Sequence, residues 1–161
     1  MTEAIHNDYE VSSEGAVRHW EIPYARLTDT TPTPTNAAEV TSVLPGTQLT
    51  GTILSVDASR SIAVIDFTNS IVYRHDVRNV LTYSTGSEST FGAINIGDPV
   101  YYDNSATMPA GVYLSTSPLD NTGAANTLFG FAVADDIASD TFPKGGATAS
   151  TQRVAVMQRG A

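Results

Sequence analysis

The chain contains no cysteine, and that single absence removes disulfide frameworks, thiolate zinc sites, iron–sulfur clusters and thiol nucleophiles together. Lysine is almost missing as well. Lys144 stands alone, and 8 Lys and Arg face 17 Asp and Glu, for a formal charge of −9. Affinity for a nucleic-acid backbone comes from clustered cations, so no nucleic acid is expected as a partner. No run approaches the roughly 20 apolar residues of a membrane-spanning helix, and no membrane partner is expected either. The opening MTEAIHNDYEVSSEG is acidic and polar where a secretory signal needs a basic and then an apolar stretch. No Asn-x-Ser/Thr sequon occurs, so the expectation is a protein that folds where it is made.

Helical periodicity is scarcely visible, whereas β-branched residues crowd the apolar runs and Ser and Thr are abundant, a composition that favours strands. The 161 residues are enough for one ordinary domain. Residues 1–15 hold Glu3, Asp8, Glu10 and Glu14 with few large apolar groups, so they are expected to form an extended arm. In AVRHWEIPYARL, residues 16–27, Trp20, Ile22 and Tyr24 alternate as on one face of a strand, and Pro23 suits an edge or extended chain. The following TDTTPTPTN, residues 28–36, carries Pro32 and Pro34 and reads equally as a polyproline spacer or as a surface loop.

From Gln48 onward the pattern becomes strand, turn, strand. Candidate strands are 49–57, 62–67, 71–77, 77–83, 99–103, 111–116, 127–135 and 152–158, with turn-rich 84–93 and long 136–151 as loops. The expected fold is therefore all-β: a small barrel or sandwich of seven to nine short strands. The expected division is an extended N-terminal arm and linker over 1–47 and a β-barrel domain over 48–161.

No constellation points to catalysis, a metal or a cofactor. His6, His19 and His75 lack the spacing of a zinc site. His75-Asp76 could be half of a triad, yet no Gly-x-Ser-x-Gly elbow exists, and adjacent strand residues face opposite ways; a solvated strand edge is the expectation. Asp135, Asp136 and Asp140 could form a glycosidase pair or a calcium loop, but the spacing fits neither and a strand-end turn reads better. Lys144-Gly145-Gly146 has the wrong order for a phosphate loop. Tyr101, Tyr102, Tyr113, Phe129 and Phe131 could line a glycan groove. Against it, Phe129, Phe131 and Val133 share one face of a strand in the manner of a core, and Tyr101 and Tyr102 must diverge.

The C-terminal half carries a more specific order. Gly97-Asp98-Pro99-Val100-Tyr101-Tyr102-Asp103 leads into Gly111-Val112-Tyr113-Leu114-Ser115-Thr116, then Asn126-Thr127-Leu128-Phe129-Gly130-Phe131-Ala132, and finally Arg153-Val154-Ala155-Val156. This order resembles the capsid cement, or head decoration, proteins of tailed bacteriophages. Ala63-Val64-Ile65-Asp66 and Ile71-Val72-Tyr73-Arg74-His75-Asp76-Val77 look like that family's earlier strands. The resemblance spans residues 48–158; the N-terminal 47 residues and the long 136–151 loop depart from it.

The resemblance implies a β-tulip-like barrel and a non-enzymatic virion protein. It would be made in the host cytoplasm and would trimerise over local threefold sites on the outer capsid surface. There it would cement neighbouring major capsid proteins against internal DNA pressure. Its partners would be the major capsid protein and itself. Candidate capsid-binding residues are Tyr9, Val11, Trp20, Ile22 and Tyr24, an apolar set in an arm expected to lack a core of its own. The competing readings are a carbohydrate-binding β-module of a virion or secreted protein and, behind it, a small trimeric hydrolase.

Overall fold

The computed structural model describes residues 10–12, 19–41, 48–84, 87–90, 94–133 and 151–160. Twelve strands and a 3-10 turn at Tyr24–Arg26 occur among the described residues, and no α-helix does. The all-β expectation holds. The chain divides into two compact units, Met1–Asn69 with Gly160–Ala161, and Ser70–Arg159.

The first unit is a five-stranded antiparallel sheet. Its strands are β1 (Glu10–Ser12), β2 (His19–Pro23), β3 (Ala37–Thr41), β4 (Gln48–Asp57) and β5 (Ile62–Asp66), in spatial order β1-β2-β5-β4-β3. The β4–β5 hairpin turns at Ala58–Ser61, where Asp57 Oδ1 accepts from the Ser59 amide and hydroxyl and from the Arg60 amide. These donors, led by the Ser59 hydroxyl and helped by the nearby Arg60 charge, hold the Asp57 carboxyl below its usual range. Gly51 on β4 leaves no room for a side chain, since an added Cβ would lie 2.6 Å from the Asp66 carbonyl. The sheet curls far enough for Leu27 to bridge Val40, with the Thr28 amide donating to the Glu39 carbonyl at 3.1 Å.

This pairing corrects three expectations. The boundary at residue 47 separates β3 from β4, whose register runs from Ala37 opposite Thr52 to Thr41 opposite Gln48; the unit ends at Asn69 instead. Residues 28–36 are not a polyproline spacer either. Asp29 Oδ1 accepts from the Thr31 amide at 2.9 Å, and the Ile53 amide donates to the Asn36 carbonyl at 2.8 Å, so β4 holds the segment in place. Finally, Trp20, Ile22 and Tyr24 do have a core of their own. Ile22 is buried with Leu27, Ala38, Val40, Ile53, Ala63, Ile65 and Phe67, and Trp20 and Tyr24 pack against that cluster. β5 pairs along the whole of β2, whereas β1 reaches it only at His19 and Trp20, so Pro23 keeps the edge position that suits it.

The second unit is built on a closed five-stranded barrel. Its strands are β6 (Val72–Arg78), β7 (Val80–Ser84), β8 (Ser87–Thr90), β9 (Pro99–Tyr102), β10 (Leu114–Ser115), β11 (Thr127–Val133) and β12 (Thr151–Gln158). The barrel order is β10-β6-β12-β11-β9, all antiparallel except the parallel β6–β10 pair, while β7 and β8 form a separate hairpin. The ring closes through the two-residue β10, which pairs with β6 at Val77 and Arg78 and with β9 at Tyr101 and Tyr102. Val77, Val100, Tyr102, Leu114, Phe129, Ala132, Val154 and Val156 fill the interior.

Twelve strands exceed the expected seven to nine because β1, β3 and β8 were not anticipated. β3 begins Ala-Ala-Glu, a poor strand former by composition. Its pairing with β4 and the burial of Ala37, Ala38 and Val40 override that preference. β8 falls inside the stretch 84–93 expected to be a loop.

Candidate functional site

The residues singled out from sequence do not converge. Tyr9 lies outside the described residues and Val11 lies in β1, paired to β2. Trp20, Ile22 and Tyr24 are committed to the core of the first unit, with Ile22 only 8% exposed. An apolar anchor free to leave its domain is therefore not what these three form. Asp135, Asp136, Asp140, Lys144, Gly145 and Gly146 lie outside the described residues, and so does His6.

His75 and Asp76 diverge as expected of neighbours on a strand, but the expected solvated edge is wrong. His75 pairs with Val154 of β12 and points into the barrel at 3% exposure, although β10 reaches β6 only at Val77 and Arg78. Its ring meets Phe129 edge-on at 5.2 Å and 81°. Burial, seconded by the positive charge of Arg153, lowers its pKa to about 4. Asp76 faces outward and pairs with Arg153 at 3.4 Å. A neutral, enclosed imidazole and an outward carboxylate cannot form one catalytic dyad.

A second buried polar centre surrounds Asp103. Its Oδ1 accepts from the Ser105 amide at 3.0 Å and from the Ser105 hydroxyl, and its Oδ2 accepts from the Ser115 hydroxyl at 3.0 Å. Ser115 Oγ in turn accepts from the Ser117 amide at 3.1 Å. The carboxylate thereby ties the end of β9 to β10 and to the chain beyond it. With all these donors inside the fold and Asp103 fully buried, the arrangement stabilises the loop and offers nothing to a substrate. Among the described residues no group of three or more His, Asp or Glu could hold a metal ion.

The proposed glycan groove also comes apart. Tyr102 and Phe129 are interior residues, and Tyr102 stacks on Tyr113 at 6.4 Å. Tyr101 and Tyr102 diverge as the alternation requires. Phe131 is the surprise: it is 39% exposed and does not share the inward face of Phe129. The register against β9 slips between Leu128 and Gly130, a bulge that turns the remaining residues of β11 over. Gly130 is what permits it, because an added Cβ would collide with the Met157 carbonyl. A glycine between two phenylalanines within a strand was the available signal for such a bulge.

Because of that bulge, an apolar row crosses the outer wall of the barrel. Pro99 pairs with Phe131, Phe131 with Met157, and Met157 with Val72, so one register line runs through β9, β11, β12 and β6. Directly paired residues project from the same face. Val72 is 47% exposed, and Ile96, just before β9, is 66% exposed. The turn that carries Ile96 is fixed to β11 by the Gly97 amide, which donates to the Ala132 carbonyl at 2.7 Å. The row is outward and apolar, a character that suits contact with another macromolecule.

No protein-family model, no curated protein and no solved structure matches the chain.

Proposed function

We propose that this chain is a structural virion protein that binds the outer capsid surface of a tailed phage at local threefold sites, as a homotrimer. There it cements neighbouring major capsid proteins against internal DNA pressure. The reading is non-enzymatic, and its partners are the major capsid protein and further copies of the chain. The observation that carries it is the outward row Pro99, Phe131, Met157 and Val72, since contiguous exposed apolar surface marks a docking face. Supporting it, the segments that resemble the decoration family supply β6, β9, β10, β11 and β12, all five barrel strands. A net charge of −9 keeps many copies soluble before they meet a lattice.

The test is cosedimentation of the purified chain with empty capsids assembled from the major capsid protein encoded beside it. Saturation at three copies per local threefold site and a raised capsid disruption temperature are expected. Failure to cosediment overturns the reading. A carbohydrate-binding module would instead give specific signals on a glycan array, where silence is expected, since two of the five candidate rings lie inside the barrel.

A further inference from the structure

β7 and β8 stand apart from the barrel ring. They pair antiparallel, with Val80 opposite Thr90, Thr82 opposite Ser89, Tyr83 opposite Glu88 and Ser84 opposite Ser87. Among the described residues no third strand joins either of them. The base of this hairpin is tied to the barrel just past β10, where the Val80 amide donates to Thr116 Oγ1 at 2.7 Å. Beyond that tie the hairpin is a two-stranded ribbon with two outer backbone edges. A two-stranded hairpin alone is marginally stable in water, and proteins commonly defend a lone strand edge with Lys, Pro, charge or a bulge. Val80–Ser84 and Ser87–Thr90 contain no Lys, Arg or Pro, and Glu88 is their single charge. The one register slip lies at the tied base, between Val80 and Thr82.

We propose that the hairpins of neighbouring copies of this chain pair edge to edge, β7 of one copy against β8 of the next. The number of edges decides the occupant. A strand added by a different protein, the capsid protein included, covers one edge of the ribbon and leaves the other open. A second copy offers a β8 edge to β7, and a third offers a β7 edge to β8, so every copy both gives and takes a strand. Direction allows it, because the two strands are antiparallel within each ribbon and remain antiparallel across a rotated contact. A contact between two unlike edges closes into a ring under threefold rotation, whereas a twofold contact joins like to like and leaves one edge of each copy unmet. Three ribbons make a closed ring of six strands, which removes the edges altogether. The inference rests on the trimer part of the proposed function and names the segment that makes it, leaving the apolar row to the capsid.

Sedimentation velocity of the free, full-length chain over a concentration series, paired with hydrogen exchange, tests it. A monomer–trimer equilibrium is expected, and the backbone amides of residues 80–90 should exchange at least about tenfold more slowly in the trimer than in the monomer. Tyr83→Pro and Glu88→Pro each remove a backbone donor from the ribbon and should weaken association at least about tenfold. Both positions lie beyond the tie at Val80, so the barrel's thermal midpoint at monomer concentration should stay near that of the parent. Phe131→Asp, on the apolar row, should trimerise like the parent. The exchange measurement needs no variant, so it decides the matter even where a proline prevents folding. A chain that is monomeric at every concentration, a dimer, a trimer without added protection at 80–90, or unchanged association in both proline variants would overturn the proposal. Capsid binding by a chain that never self-associates would overturn the ribbon contact and leave cementing intact, whereas a trimer that ignores capsids would do the reverse.

Discussion

His75 and Phe129 meet inside the barrel with ring centroids 5.2 Å apart and planes at 81°, so the only imidazole among the described interior residues of the second unit is held in a T-shaped contact with an aromatic ring. Edge-to-face contact of this kind favours a fixed orientation. It also commits the imidazole to an environment where protonation is costly.

That cost makes stability depend on pH. The pKa of His75 falls from 6.5 when solvated to about 4 in the fold, so the unfolded chain takes up the proton first. The contribution is complete above pH 6.5 and is lost progressively as pH falls towards 4, an effect of about 3 kcal/mol at most. Glu39 acts in the opposite sense, because burial raises its pKa above 4.5 and acid relieves that penalty. Denaturant unfolding at pH 7.5 and 4.5 should show lower stability in acid, and His75→Gln should flatten the difference. An unchanged slope in that variant would contradict the burial of a neutral ring.

The bulge in β11 predicts unequal phenylalanines. Phe129→Ala should cost about 3–5 kcal/mol, as removal of a buried aromatic does, while Phe131→Ala should stay within about 1 kcal/mol at its exposed position. Gly130→Ala should be damaging in its own right, by about 3 kcal/mol, because the new methyl meets backbone that cannot move aside. Equal losses at the two phenylalanines would mean that strict alternation persists and that the bulge is absent.

Trp20→Ala should lower the melting temperature of the isolated chain, with a loss of about 2 kcal/mol or more, because the indole packs on the Ile22, Ile53 and Ile65 cluster. Differential scanning calorimetry would read this directly. A variant that melts like the parent but binds its partner poorly would restore the view of Trp20 as an external anchor.

Ser115→Ala should cost about 1–3 kcal/mol by taking a hydroxyl donor from the buried Asp103 carboxylate. Ser115→Thr, which keeps the hydroxyl, should recover part of the loss in the same urea titration. Indifference to both changes would remove Asp103 from the account of how β9 and β10 are joined.

Much of the strand content was legible in the sequence because it depends on local composition and punctuation. Residues 62–67 and 152–158 are rich in β-branched and apolar residues, and they fold as strands with nearly the expected bounds, Ile62–Asp66 and Thr151–Gln158. The divergence of Tyr101 from Tyr102, and of His75 from Asp76, follows from the pleat of any strand. The absence of cysteine likewise excludes disulfides and thiolate metal sites, whatever the fold.

Tertiary structure decided which face met which neighbour. Alternation names two faces of a strand but not which is covered, and one slipped register at Gly130 sent Phe131 outward after the sequence had grouped it with Phe129. His75 reads as a polar residue at a solvated edge until the barrel interior encloses it against Phe129, and Trp20 reads as an anchor without a core until β5 pairs alongside. The row from Pro99 through Phe131 and Met157 to Val72 draws on residues far apart in the chain, and only the pairing of β9, β11, β12 and β6 aligns them. Burial and surface neighbours are properties of long-range pairing, whereas strand preference is local, and that physical difference separates what the sequence determined from what the fold had to supply.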